Sequence, residues 1–267
     1  MSSGSAARSA EPPSAAPLAA PSRGLARAAA IVLILGSVLF LSGGRAHPAI
    51  NVALGAAPED FFRAFADTVL HTHGWHAMHL LIIVGPLSWA VAAPTLMDAI
   101  DPTARALTSA ARSMLVLSGA LWAIAFVLDG FGAPVYAGAI TGAGSSAIEA
   151  GVLTAFEANA IMMSRLGLVS WVAGGLGMAV LGGSLLAHGV RMSWRIAIGV
   201  SGIAIGAWPL LAALEGEYAG GPFTSQYWML NALAVGVWYI ALATCAFWPR
   251  PAPGGVSGET RSVHRDG

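Results

Sequence analysis

Four of the chain's seven histidines lie within nine residues, in the segment 71–79. His73, His76 and His79 are spaced three residues apart, so on a helix they follow one another in steps of about 60° and share one face. A neutral imidazole is the commonest transition-metal ligand in proteins, and residues at i and i+3 can reach one ion. The spacing therefore predicts a metal site.

Carboxylates from other segments can complete such a site. Asp129 lies about 25 Å up an apolar run that begins at Arg112, and His79 lies about 6 Å below Trp75, so that both fall at a similar depth. Nitrogen and carboxylate ligands suit Zn, Cu, Fe or Ni. The expected ligands are His73, His76, His79 and Asp129, with Glu157, Glu215 and His47 as alternatives.

The same histidines allow two other interpretations. At the entrance of a membrane helix, imidazoles can hydrate, anchor at lipid headgroups, or pair with Glu59 or Asp67. Because histidine changes charge near neutral pH, the cluster also suits a proton relay or a pH sensor, with Glu157 and Glu215 as partners.

The composition is typical of a membrane protein. The chain is 56% hydrophobic and only 10% charged, whereas an ordinary soluble domain carries about 25% charged residues. A helix needs about 20 apolar residues to cross roughly 30 Å of hydrocarbon. The apolar runs predict an all-α bundle with six transmembrane helices, at about 27–43, 75–96, 113–129, 166–188, 195–214 and 227–248.

The segments at the two ends differ from the apolar runs in composition. Residues 1–24 and 249–267 are rich in Pro, Ser, Ala and Gly, which bury too little apolar surface to fold alone. They are expected to be disordered tails around one membrane domain, 25–248.

Between the first two spans, a helix is expected to begin at Pro58. Phe61, Phe62, Phe65 and Val69 fall on one of its faces and polar residues on the other, which predicts a short interfacial helix. The glycines of 130–145 predict a flexible loop. A capping-box pattern at Ser146 predicts a short helix ahead of the fourth span.

The arginines indicate how the bundle is oriented. With both tails placed inside, ten of the thirteen lie on the inner side, and only Arg45, Arg63 and Arg165 lie outside. The positive-inside rule then predicts a bacterial inner-membrane protein with cytoplasmic N- and C-termini. The histidine segment falls on the outer face.

In the segment Gly-Arg-Ala at 44–46, the first and third residues are small, as a signal peptidase requires before its cleavage site. Cleavage there would leave five helices and a free N-terminal His47, whose amine and imidazole can chelate copper. The alternative is an uncleaved first helix followed by an ordinary loop.

Several other functions find no support in the sequence. The net charge is zero and no basic stripe occurs, which disfavours nucleic-acid binding. A single cysteine, Cys245, provides neither an intramolecular disulfide nor a Cys-based metal site. The glycine-rich runs of 166–188 lack a lysine that could hold phosphate.

The leading interpretation is thus a metal-binding or metal-handling membrane protein. The alternatives are a small transporter or proton relay, and a structural membrane subunit. The lipid bilayer is the expected partner. A homo-oligomer or a partner membrane subunit is compatible with the sequence.

Overall fold

A computed structural model describes residues 23–48, 57–187, 193–219 and 225–247. Both tails that were expected to be disordered lie outside these ranges. No strand occurs in them, and their α-helices are α1 (Arg23–Ala46), α2 (Pro58–His71), α3 (Trp75–Ile100), α4 (Arg105–Val127), α5 (Ala133–Thr141), α6 (Ser146–Ala187), α7 (Ser193–Ala219) and α8 (Ser225–Thr244).

Among the described residues, six helical stretches are long and apolar enough to cross a membrane. They confirm the all-α class and the six long helices predicted from the sequence. Their bounds are Arg23–Ala46, Trp75–Ile100, Pro102–Thr141, Ser146–Ala187, Ser193–Ala213 and Leu230–Phe247.

The helix α1 packs against α3 through small residues. A Cβ on Gly36 would lie 2.4 Å from Cβ of Ser88, and one on Gly85 would lie 2.5 Å from Cβ of Phe40. Side chains larger than hydrogen would therefore push the helices apart. Small residues at helix contacts of this kind are characteristic of membrane bundles.

The centre of the bundle is aromatic. The indole of Trp89 stacks on Tyr239 at 4.7 Å, and that of Trp122 stacks on Trp171 at 4.9 Å. These rings come from α3, α8, α4 and α6, so they join helices that are distant in sequence. Offset aromatic pairs contribute about 0.5–1.5 kcal/mol beyond the area that they bury.

The predicted flexible loop at 130–145 is wrong over most of its length. α4 continues through a π-helical segment, Leu128–Gly132, into α5. Pro134 lies in the first turn of α5, where the missing N–H needs no partner. Ala133 and Ala137 are fully buried, so tertiary packing outweighs the weak helix propensity of the glycines.

The short helix predicted at Ser146 and the fourth span form one helix, α6, of 42 residues. Its sequence holds no proline, so nothing interrupts the backbone hydrogen bonds between the two predicted parts. At 1.5 Å per residue α6 is about 63 Å long, roughly twice the hydrocarbon thickness of a bilayer.

The N-terminal part of α6 (146–160) packs with α2 and α5 into a three-helix unit, which we call the cap. The helix predicted from Pro58 is confirmed, and its Phe62, Phe65 and Val69 are buried in a second apolar cluster with Phe156. Arg63 of α2 forms an ion pair with Glu149 of α6 at 2.8 Å. Most of the apolar face of α2 thus packs against protein, whereas Phe61 is exposed.

Candidate metal centre

Three side chains meet where the cap joins the bundle. Nε2 of His79 lies 3.0 Å from Oδ2 of Asp129, and Nε2 of His47 lies 3.6 Å from the same oxygen. One ligand atom from each residue falls within 4.8 Å of the others. Two ligands of one ion at about 2.0–2.1 Å are themselves roughly 2.9–3.4 Å apart, so the two contacts with Oδ2 are close to that spacing.

His79 is positioned by the start of α3. Gly74, with a φ of 77°, adopts a left-handed conformation that ends the preceding segment and lets α3 begin at Trp75. His79 lies one turn further on, fully buried between the rings of Trp75 at 4.7 Å and Phe126 at 5.8 Å.

Asp129 is positioned by the π-helical segment. Two neighbouring helices hold the backbone of this segment: Nε1 of Trp75 donates to the carbonyl of Asp129 at 3.1 Å, and Nδ2 of Asn159 donates to the carbonyl of Leu128 at 3.5 Å. Gly130 allows α3 to approach, because a Cβ there would lie 2.6 Å from Cβ of His79. Short π segments occur frequently at functional sites.

His47 reaches the site from the end of α1. Its backbone N–H donates to the carbonyl of Gly43 at 3.1 Å, which continues the helix by one residue. Its ring lies 5.1 Å from that of His79 and 5.3 Å from that of Trp75. The site therefore joins α1, α3 and the π segment after α4.

Both imidazoles are oriented by a backbone carbonyl. Nδ1 of His79 lies 2.6 Å from the carbonyl oxygen of Trp75, and Nδ1 of His47 lies 3.1 Å from that of Pro48. Since a carbonyl only accepts, Nδ1 is the protonated nitrogen in both rings, and in a neutral ring Nε2 then carries the lone pair. Histidines that bind a metal through one ring nitrogen usually donate the N–H of the other to a hydrogen bond of this kind.

These lone pairs face a carboxylate. In the neutral tautomer, Nε2 of His79 and Oδ2 of Asp129 are both acceptors, and their 3.0 Å contact lacks the alignment of a hydrogen bond. Two acceptors repel at this distance unless a cation lies between them or a proton is added. A metal ion bound to all three groups would supply the positive charge, and the lone pairs of both imidazoles would point at it.

The site is largely shielded from solvent. The side chain of His79 is fully buried and that of Asp129 is 9% exposed, whereas that of His47 is 27% exposed. Oδ1 of Asp129 is buried without a hydrogen-bond partner among the described residues. A buried, uncompensated carboxylate is strongly unfavourable, so a charged partner for this group is expected on physical grounds.

The structure brings together some of the residues proposed from the sequence. His79 and Asp129 meet, together with the alternative ligand His47. His73 lies in the turn before α3 and is exposed, and His76 is exposed beside the ring of Phe131 at 5.1 Å. These two histidines are not part of the three-residue cluster.

The remaining candidates lie elsewhere. Glu157 is half-buried on α6 and outside the cluster. Glu215 belongs to α7, and its side chain lies outside what the structure describes. His71 pairs with Asp67 at 3.1 Å on the exposed face of α2.

Sequence reasoning missed the residues that support the ligands. In the sequence, Trp75 serves only as a reference for the depth of His79, and Gly130 only as a residue of the expected loop. A glycine directly after an intramembrane Asp is the one signal that could have indicated a close helix approach there. Comparison of the chain with protein-family models, with curated proteins and with solved structures gave no match.

Proposed function

We propose that this chain is a multi-pass membrane protein that binds one transition-metal ion through His47, His79 and Asp129. The observation that carries the proposal is the direction of the two imidazoles: each Nδ1 is held by a carbonyl, and each Nε2 faces Oδ2 of one buried carboxylate. Two histidines and a carboxylate form the protein ligands of many zinc and non-haem iron sites.

The donor atoms restrict which metal ions the site can bind. The three ligands supply nitrogen and oxygen, which suit Zn(II), Fe(II) or Cu(II), whereas Cu(I) prefers sulfur. The membrane setting is part of the proposal and rests on the six long apolar helices. The excess of arginine on one side supports a bacterial inner membrane, cytoplasmic termini and a site near the outer face.

Metal content of the purified protein tests this proposal. The full chain is purified in detergent, loaded with Zn(II) or Fe(II), freed of unbound metal and analysed by mass spectrometry. We expect about one metal per chain in the wild type, and loss of it in His79→Ala and Asp129→Ala. His76→Ala is the matched control, because His76 is an exposed histidine on the same helix.

The control variant makes the result specific. If His79→Ala kept its metal, or if His76→Ala lost as much metal as His79→Ala, the proposed ligand set would be wrong. Circular dichroism and size-exclusion chromatography on each variant separate loss of a ligand from loss of the fold.

A proton-binding site is the second candidate, and the exposure of His47 favours it. A proton on Nε2 of His79 would turn its 3.0 Å contact with Asp129 into an attractive ion pair. The partly exposed ring of His47 would then connect the buried carboxylate with solvent. Metal-free protein that takes up protons in vesicles, with loss of uptake in Asp129→Asn and retention in His76→Ala, would favour this function.

A further inference from the structure

The two oxygens of Asp129 have different surroundings. Oδ2 is approached by both imidazoles, at 3.0 and 3.6 Å. Oδ1 is also buried but has no hydrogen-bond partner among the described residues. A carboxylate oxygen without a donor is rare in a protein interior, so this atom indicates a donor that the described residues do not provide.

The number of protein ligands also indicates that the metal has a further ligand that is not one of these side chains. Among the described His, Cys, Asp and Glu side chains, three come together here and no fourth joins them. Zinc sites that are purely structural usually have four protein ligands, whereas sites that bind exchangeable ligands have three. A metal with these three ligands therefore retains at least one coordination position.

Space around the site limits what can fill that position. The ring of His79 is enclosed by Trp75 and Phe126, and Gly130 is in contact with its Cβ. The side chain of His47 is the most exposed of the three ligands, at 27%. The side of His47 is therefore the side from which a small molecule would approach the metal.

We propose that the metal binds one exchangeable water molecule beside Oδ1 of Asp129. This inference rests on the proposed metal site. A bound water would donate to Oδ1 and remove the unsatisfied acceptor, while Oδ2 remains a metal ligand. The site would then serve to bind or activate a small ligand at the junction of cap and bundle, rather than only to hold the helices together.

Azide and Co(II) provide the test. Co(II) replaces Zn(II) in nitrogen and oxygen sites, and its visible absorption bands report the number and type of its ligands. We expect azide to shift these bands saturably, with one azide bound per Co(II). Unchanged bands at saturating azide would overturn the inference, because Oδ1 or another protein atom would then occupy the position.

The same experiment distinguishes failure of this inference from failure of the proposed metal site. Failure of the wild type to bind Co(II) would contradict the proposed function, and the inference with it. Co(II) binding without an azide response would contradict only the inference. His76→Ala should respond to azide as the wild type does; an azide response that appears only in His76→Ala would identify His76 as the occupying ligand and overturn the inference.

Discussion

Nε2 of His79 lies 3.0 Å from Oδ2 of Asp129 across the contact between α3 and the π-helical segment. Trp75 supports both residues: one turn before His79, it donates its indole N–H to the carbonyl of Asp129. The Nδ1 atom of His79 in turn bonds to the carbonyl of Trp75. Trp75 thereby links both ligands.

The first prediction concerns the contact between Gly130 and His79. In Gly130→Ala the new Cβ would lie 2.6 Å from Cβ and 2.8 Å from Cγ of His79, so the side chain of His79 has to shift from its place beside Asp129. We expect metal affinity to fall by about tenfold or more, as is usual when support of a ligand is lost. Metal titration of the purified variant measures the change.

Gly138→Ala is the control for this substitution. Gly138 lies on α5, and a Cβ there would meet no atom within 4 Å. Its metal affinity should equal that of the wild type. Equal affinities in all three proteins would show that the close approach at Gly130 does not position His79.

The second prediction concerns thermal stability. A ligand that binds only the folded chain stabilises it by about 2.7 kcal/mol when its free concentration is 100 times its dissociation constant. The metal should therefore raise the Tm of the wild type and of His76→Ala by several degrees, and it should leave that of His79→Ala unchanged. The measurement is a thermal unfolding scan in detergent with and without Zn(II). An equal rise in His79→Ala would place the stabilising ion elsewhere.

The third prediction concerns pH. A metal binds neutral imidazole and ionised carboxylate, so protons compete with it for His47, His79 and Asp129. Low pH favours the protonated, metal-free form, so affinity should rise as pH is raised, and binding should release a number of protons per ion. Calorimetric titration in buffers of different ionisation enthalpy measures this number. Affinity that does not vary with pH would contradict binding through imidazole.

The fourth prediction concerns α1. This helix contributes His47 and packs against α3 so closely that a Cβ on Gly43 would lie 2.7 Å from the carbonyl oxygen of Met78. We expect α1 to be retained, because its removal would expose the surface of α3 against which α1 packs. Intact-mass measurement should give the full-length chain. A mass that begins at His47 would show cleavage after Ala46 and a free N-terminal imidazole.

Much of the architecture could be predicted, because hydrophobic run length determines which segments can span a membrane. Counting residues along the helices also predicts that His79 and Asp129 lie at a similar depth in the membrane. That they face each other depends on the π-helical segment, whose extra residue per turn alters the direction of Asp129. Hydrophobic periodicity assumes a regular helix and contains no signal for this irregularity.

The segment with four histidines shows a second limit of such reasoning. The shared face of His73, His76 and His79 requires one helix through all three, but the left-handed conformation of Gly74 starts α3 at Trp75. His73 is therefore outside the helix. His47 becomes adjacent only through the packing of α1 on α3, and such long-range contacts cannot be derived from local spacing.

X-ray absorption spectroscopy of the metal-loaded protein tests the ligand set most directly, because it counts the imidazoles bound to the ion. We predict two imidazoles and a carboxylate oxygen in the wild type, and the same set in His76→Ala. His47→Ala should bind the metal more weakly and show one imidazole. Three imidazoles in the wild type, or a loss of one in His76→Ala, would contradict a site formed by His47, His79 and Asp129.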